Sequence, residues 1–285
     1  QDGLKLHARH YPARDGGKYR PLLCLPGLTR NGRDFEVLAA YFSTRARRKR
    51  DVYCLDYRGR GLSEHDRNWR NYTPYIETVD VLDFTTSAGI HDAAVIGTSR
   101  GGIVTMLMAV MRPTVLGAAV LNDIGPIVET AGLARIIGYV GRVPSPASWD
   151  EAAALVKGMN GKFFPDIADA EWPEIARQWF SDREGTIKAD YDLALTKTMS
   201  ATDLTRPVPS MWSQFSALGA IPLMTLRGET SDLLSEETLS QMAKRNPAMR
   251  SWIVEGQGHA PMLRDDGTLK QIESFLDSAD RPQHH

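Results

Sequence analysis

The chain has 285 residues, 34 Lys and Arg against 35 Asp and Glu, and a net charge of −1. That balance excludes the basic surface of a nucleic-acid binder, and no apolar run is long enough to span a bilayer. With 42% hydrophobic and 24% charged residues, the composition is that of an ordinary globular protein, long enough for one large core with an inserted subdomain.

Taken in chain order, Leu4 to Tyr11 alternates loosely and reads as a first strand. Asp15-Gly16-Gly17 is a turn signal. Pro21 to Leu25 is a short apolar run stopped at Pro26-Gly27, the pattern of a buried strand. Asp34 to Arg45 carries apolar residues at helical spacing, and its basic end, Arg45 to Arg50, reads as a solvated helix C-terminus. Val52 to Leu55 is a strand ended by Arg58-Gly59-Arg60-Gly61. A helix follows over Tyr75 to Ala88, a strand over Ala93 to Ile96, a helix over Gly101 to Met111 and a strand over Val115 to Leu121. Further strands are expected at Pro222 to Leu226 and Trp252 to Val254, and a closing helix over Thr268 to Leu276. Strands alternating with helices at both ends specify an α/β fold, a mostly parallel, doubly wound sheet covered on both faces.

The middle differs. From Gly125 to Ser216 no strand is expected. Helical patterns run over Val128 to Val140, Trp149 to Met159, Pro173 to Phe180 and Asp192 to Met199, punctuated by Pro144, Pro146, Pro165, Pro207 and Pro209. A structureless loop of this length is improbable in a compact domain. The expected organisation is a core of residues 1–124 and 217–285, with residues 125–216 forming a helical cap inserted after the sixth strand.

Gly97-Thr98-Ser99-Arg100-Gly101 fits G-x-S-x-G between an apolar strand and a helix, the context that gives this pattern its meaning. A nucleophilic serine there sits on a sharp, strained turn, and side chains two residues to either side would collide. Ser99 needs a base, and His259 is the candidate, because it follows the late strand through Gly256-Gln257-Gly258 and so falls at a strand's carboxyl end. The imidazole needs a carboxylate. Asp232, just past the strand Pro222 to Leu226, gives the order Ser, Asp, His and is preferred, with Glu229 and Asp123 as rivals. Asp123 reads better as a hinge into the cap. The expected oxyanion donors are the backbone N–H groups of Leu28 and Arg100.

Together Leu25-Pro26-Gly27-Leu28, Asp56 to Ser63, Gly97 to Gly102, Asn122 to Pro126, Arg227 to Asp232 and Gly256 to His259 resemble the α/β-hydrolase superfamily, in its capped esterase, lactonase and C–C hydrolase branch. The resemblance covers nearly the whole chain and implies an oxyanion donor after the first motif, a structural turn at the second, the nucleophile at the third, and acid and base at the last two. Pro26 stands where His often precedes the glycine. A serine nucleophile argues against haloalkane dehalogenase or epoxide hydrolase chemistry, which needs a carboxylate.

The expected activity is that of a serine carboxylesterase, cleaving small-molecule esters with apolar acyl or alcohol groups, among them lactones or polyesters, through an acyl-enzyme. C–C bond hydrolysis or perhydrolysis on the same residues, or a small-molecule receptor with slow turnover, are the alternatives. No cofactor and no metal are expected. Met159, Phe163, Trp179 and Trp212 are candidate pocket residues, and Arg30, Arg33 and Arg100 candidates to hold a carboxylate. Cys24 and Cys54, each in an apolar run, read as buried thiols suited to a reducing compartment, hence a cytoplasmic expectation. His284 and His285 read as the remnant of a tag.

Overall fold

A computed structural model describes residues 2–200 and 208–280. Pro207, His284 and His285 lie outside the described residues. Strands β1 (His7–Tyr11), β2 (Leu22–Leu25), β3 (Val52–Asp56), β4 (Ala93–Thr98), β5 (Leu116–Asn122), β8 (Leu223–Gly228) and β9 (Arg250–Val254) form one sheet in the order β1-β3-β2-β4-β5-β8-β9. Only β1 runs antiparallel to its neighbour. Strands β2 and β5 are buried at every position, which is why they read as continuous apolar runs rather than alternating ones.

The order matters for the site. The chain steps outward from β2 to β3, then returns to the other side of β2 as β4 and continues outward to β9. The carboxyl ends of β2 and β4 therefore flank the point where the winding reverses, the usual location of a ligand crevice in an open parallel sheet.

Helices α1 (Glu36–Ala40), α2 (Pro74–Ser87) and α3 (Arg100–Met111) follow the first strands, and α9 (Glu236–Arg245) and α10 (Asp266–Ala279) close the chain. Leu23, Val95 and Leu121 pack on one face of the sheet with Val81, Val104 and Met106. On the other face Cys24, Ile96 and Val120 pack with Phe35, Leu38, Ile272 and Phe275. Cys24 and Cys54 are register partners on β2 and β3, and both are buried free thiols.

Between β5 and β8 lie α4 (Thr130–Tyr139), α5 (Trp149–Asn160), α6 (Trp172–Trp179), β6 (Phe180–Arg183), β7 (Thr186–Ala189), α7 (Leu195–Ser200) and α8 (Trp212–Ala217). Two expectations change here. The insertion follows the fifth strand of the sheet, not the sixth. It also contains an antiparallel hairpin, β6–β7, where no strand was expected. The hairpin turns at Glu184 and Gly185, both with positive φ (55° and 78°), as a two-residue turn between twisted strands requires. The insertion has its own apolar cluster, formed among others by Val156, Phe164, Trp172, Ile175 and Phe180.

A buried carboxylate joins insertion and sheet. Asp190, 1% exposed, accepts from Arg33 Nη2 (2.7 Å), Arg183 Nη2 (3.1 Å) and Asn31 Nδ2 (3.2 Å). Its backbone carbonyl accepts from the N–H of Gly61 (3.0 Å). Among the described residues no helix is long and apolar enough to cross a membrane.

Candidate active site

Ser99 sits between the end of β4 and the start of α3, with φ 51° and ψ −111°. The turn is tight enough that Gly97 and Gly101 touch. A Cβ on Gly97 would lie 2.5 Å from the Gly101 carbonyl, and one on Gly101 would lie 2.1 Å from the Leu25 carbonyl oxygen. Both obstacles are backbone, so only glycine fits at either position. Ser99 N–H donates to the Asn122 carbonyl (3.0 Å), which fixes the turn to the end of β5.

Ser99 Oγ lies 2.9 Å from His259 Nε2. His259 Nδ1 lies 2.7 Å from Asp123 Oδ2. The structure thus places Asp123 against the histidine, and not Asp232, the sequence-based choice. Both residues follow strands that are neighbours in the sheet, with Asn122 of β5 paired to Leu226 of β8. Asp123 has φ 57°, and its N–H donates to the Leu226 carbonyl (2.8 Å). In this pose its carboxylate, fully buried, also accepts from the N–H of Gly228 (2.8 Å) and from Ser231 Oγ (2.7 Å). Asp232 instead forms a two-pronged ion pair with Arg135 of α4, at 2.5 and 2.8 Å. Burial acts to raise its carboxyl, but Arg135 outweighs that and holds it below the usual range. The rival Glu229 accepts from the N–H of Gly256 (2.9 Å).

A carboxylate can only accept, so His259 Nδ1 carries the ring hydrogen and Nε2 is left to accept from Ser99. A hydroxyl, imidazole and carboxylate joined in this way can move a proton off Ser99 as its oxygen attacks. Among the described residues, the N–H groups of Leu28 and Arg100 have no protein acceptor. The turn leading to Leu28 is close to the serine, since a Cβ on Gly27 would lie 4.0 Å from Ser99 Cβ.

The cavity over Ser99 encloses about 110 Å³. Of the four candidate pocket residues, only Trp179 lines it. Phe163 lies against Gly258 and beneath Arg135 and Lys162. Trp212, half-buried, packs edge-on against Phe215 and under Arg245, against the core on one face of the sheet. Met159 does not line the cavity. Apolar lining comes from Ile136, Phe164, Ile175 and Met262, but Arg30, Arg135, Tyr139, Asn160 and Gln178 line it too. The wall is therefore mixed rather than purely apolar.

Of the three arginines considered for a carboxylate, Arg100 turns away to Glu77 Oε2 (2.7 Å) and the Tyr72 carbonyl (3.1 Å). Arg33 is held by Asp190. Only Arg30 lines the cavity. Glu77 is fully buried between Arg100 and Arg60, whose Nη2 lies 2.8 Å away. Burial acts to raise Glu77, yet the two arginines leave it below its ordinary value.

A model of the alpha/beta hydrolase family matches residues 22–271, and the chain belongs to that family. Among curated proteins it is 27% identical over 272 residues to the 3-hydroxybutyrate-oligomer hydrolase of Cupriavidus necator, covering 93% of this chain and 91% of that one. It is 24% identical over 266 residues to the 2-(acetamidomethylene)succinate hydrolase of Mesorhizobium japonicum, again covering 93% and 91%. The crystal structure of an alpha/beta hydrolase from Novosphingobium aromaticivorans superposes with a TM-score of 0.87 at 37% identity, covering 97% of this chain and 95% of that one.

Proposed function

We propose that this hydrolase is a serine esterase, in which Ser99 attacks the carbonyl carbon of a carboxylic ester. The observation that carries the reading is the continuous contact from Ser99 Oγ through His259 to Asp123. As the Oγ–C bond forms, the serine proton passes to His259 Nε2. Asp123 steadies the imidazolium, and the N–H groups of Leu28 and Arg100 meet the developing oxyanion. The C–O bond to the alcohol breaks as His259 returns the proton to the leaving oxygen. Water, deprotonated by the same histidine, then cleaves the acyl-enzyme. The insertion acts as a cap that roofs the cavity and limits what reaches Ser99. A relative named for hydrolysis of 3-hydroxybutyrate oligomers supports esters of small hydroxy acids as a substrate group to test.

Labelling with a fluorophosphonate, together with a panel of 4-nitrophenyl esters, lactones and linear hydroxy-acid oligomers, tests the reading. Ser99→Ala is expected to abolish labelling and to lower turnover by roughly 10⁴- to 10⁶-fold. Retention of a tenth of the wild-type rate would remove Ser99 as the nucleophile.

A further inference from the structure

We propose that the site prefers esters that also bear a free carboxylate, bound by Arg30 and Arg135 together with the hydroxyl of Tyr139. The proposal rests on the esterase reading above and names the substrate class within it. Arg30 uses its Nε and Nη2 on Asp34, and Arg135 uses the same edge on Asp232. Among the described residues, Nη1 of each has no acceptor, and both side chains line the cavity that holds Ser99. Each guanidinium is also stacked. Arg30 lies 4.0 Å above the Trp179 ring, and Arg135 lies 4.8 Å above that of Phe163. The two donor groups are therefore held in place before any ligand arrives, which lowers the entropic cost of binding.

Tyr139 stands one turn beyond Arg135 on α4, on the same face. Its hydroxyl has no hydrogen-bond partner among the described residues, and the residue lines the same cavity. Burial pushes its phenol up, while Arg135 and Arg30 both act to lower it. Gln178 also lines this wall, and its side-chain amide has no hydrogen-bond partner among the described residues. A purely apolar substrate would leave all of these groups desolvated and unpaired, which is costly. A carboxylate offers about four acceptor positions to them. Asp34 is in the same wall, but both of its oxygens already accept from Arg30. Because Asp34 and Asp232 neutralise the two guanidiniums, recognition depends on directed donors rather than on net charge.

The test compares matched 4-nitrophenyl esters of glutaric acid, one with its second carboxyl free and one with a carboxamide in that place. A second pair carries the same two groups on the alcohol side. Wild type is expected to favour the free acid in at least one pair by about tenfold or more in kcat/KM, expressed mainly in KM. That ratio should collapse toward one in Arg135→Gln, and also in Arg135→Gln/Asp232→Asn, which leaves no unpaired carboxylate behind. Circular dichroism checks folding. Equal or better use of the carboxamide in both pairs, or a ratio unchanged in both variants, would overturn the proposal while leaving ester hydrolysis standing. Absence of turnover in both pairs with no fluorophosphonate labelling of Ser99 would remove the esterase reading, and this proposal with it.

Discussion

Replacing Asp123 by Asn changes no volume and yet should nearly abolish turnover. The carboxylate accepts three hydrogen bonds, from Gly228 N–H, Ser231 Oγ and His259 Nδ1. An amide can keep its oxygen on Gly228, but its NH₂ then faces Ser231 and the histidine. Nδ1 must become the acceptor, the ring hydrogen moves to Nε2, and Nε2 donates toward Ser99 instead of accepting from it. Trapping that tautomer costs of order 10⁴ in kcat where the geometry is otherwise kept. This corresponds to about 5 kcal/mol of transition-state stabilisation. Asp232→Asn is the internal comparison. It breaks an ion pair whose partners are 28% and 26% exposed, worth about 1 kcal/mol or less. Turnover of a neutral ester should then stay within about fivefold. The assay is kcat on 4-nitrophenyl butyrate, normalised to the fraction of sites labelled by a fluorophosphonate, with circular dichroism on both variants. If Asp232→Asn loses three orders of magnitude while Asp123→Asn keeps a tenth of the rate, the assignment of the acid is wrong.

Gly101→Ala should lower the urea midpoint by an amount equivalent to about 1–3 kcal/mol or more, because its Cβ meets the Leu25 carbonyl oxygen. Gly138→Ala, a helical position with open space around it, should be neutral or raise stability by up to about 1 kcal/mol. Equal midpoints for the two variants would refute the steric account of the serine turn. Glu77, Asp66 and Asp232 have carboxyls held below their ordinary values in the fold, so they take up fewer protons than in the unfolded chain. Their contribution is complete above the unfolded value and is lost as pH falls, so stability should decline below about pH 4. Asp80, raised mainly by burial, opposes this in part. A urea midpoint that rises between pH 5 and pH 3 would contradict the assignment.

Much of the fold is legible in the sequence because the inner strands of the parallel sheet, buried on both faces, are simply apolar runs, and the serine turn carries its glycines for a steric reason visible in G-x-S-x-G. The identity of the acid is not legible in the same way. Asp123 and Asp232 both follow strands that prove adjacent, and which one turns to His259 depends on a positive φ at Asp123 and on Arg135 capturing Asp232 from a distant helix. Strand order and helix docking decide that, and neither is local. The hairpin is not legible because its strands have only four residues each and half of those are exposed, although Glu184-Gly185 between Arg183 and Thr186 is a turn signal. Of the candidate pocket residues only Trp179 lines the cavity, because which aromatic side chain faces Ser99 depends on how the insertion docks on the sheet. Phe164 and Trp179 line the cavity while Phe163 and Trp212, equally aromatic, do not.

The buried carboxylate of Asp190 bears on how such a protein can be recombined. The side chain belongs to residues 125–216, but two of its donors, Asn31 and Arg33, belong to the loop after β2 that also carries Leu28. Transplanting another hydrolase's insertion onto this sheet would strand Arg33 without its counter-ion. Moving this insertion elsewhere would bury Asp190 with only Arg183 to meet it, a charge imbalance costing several kcal/mol. The unit that can be exchanged intact is therefore the insertion together with residues 27–35. Residues 27–35, Leu28 among them, then travel with the insertion as one heritable block.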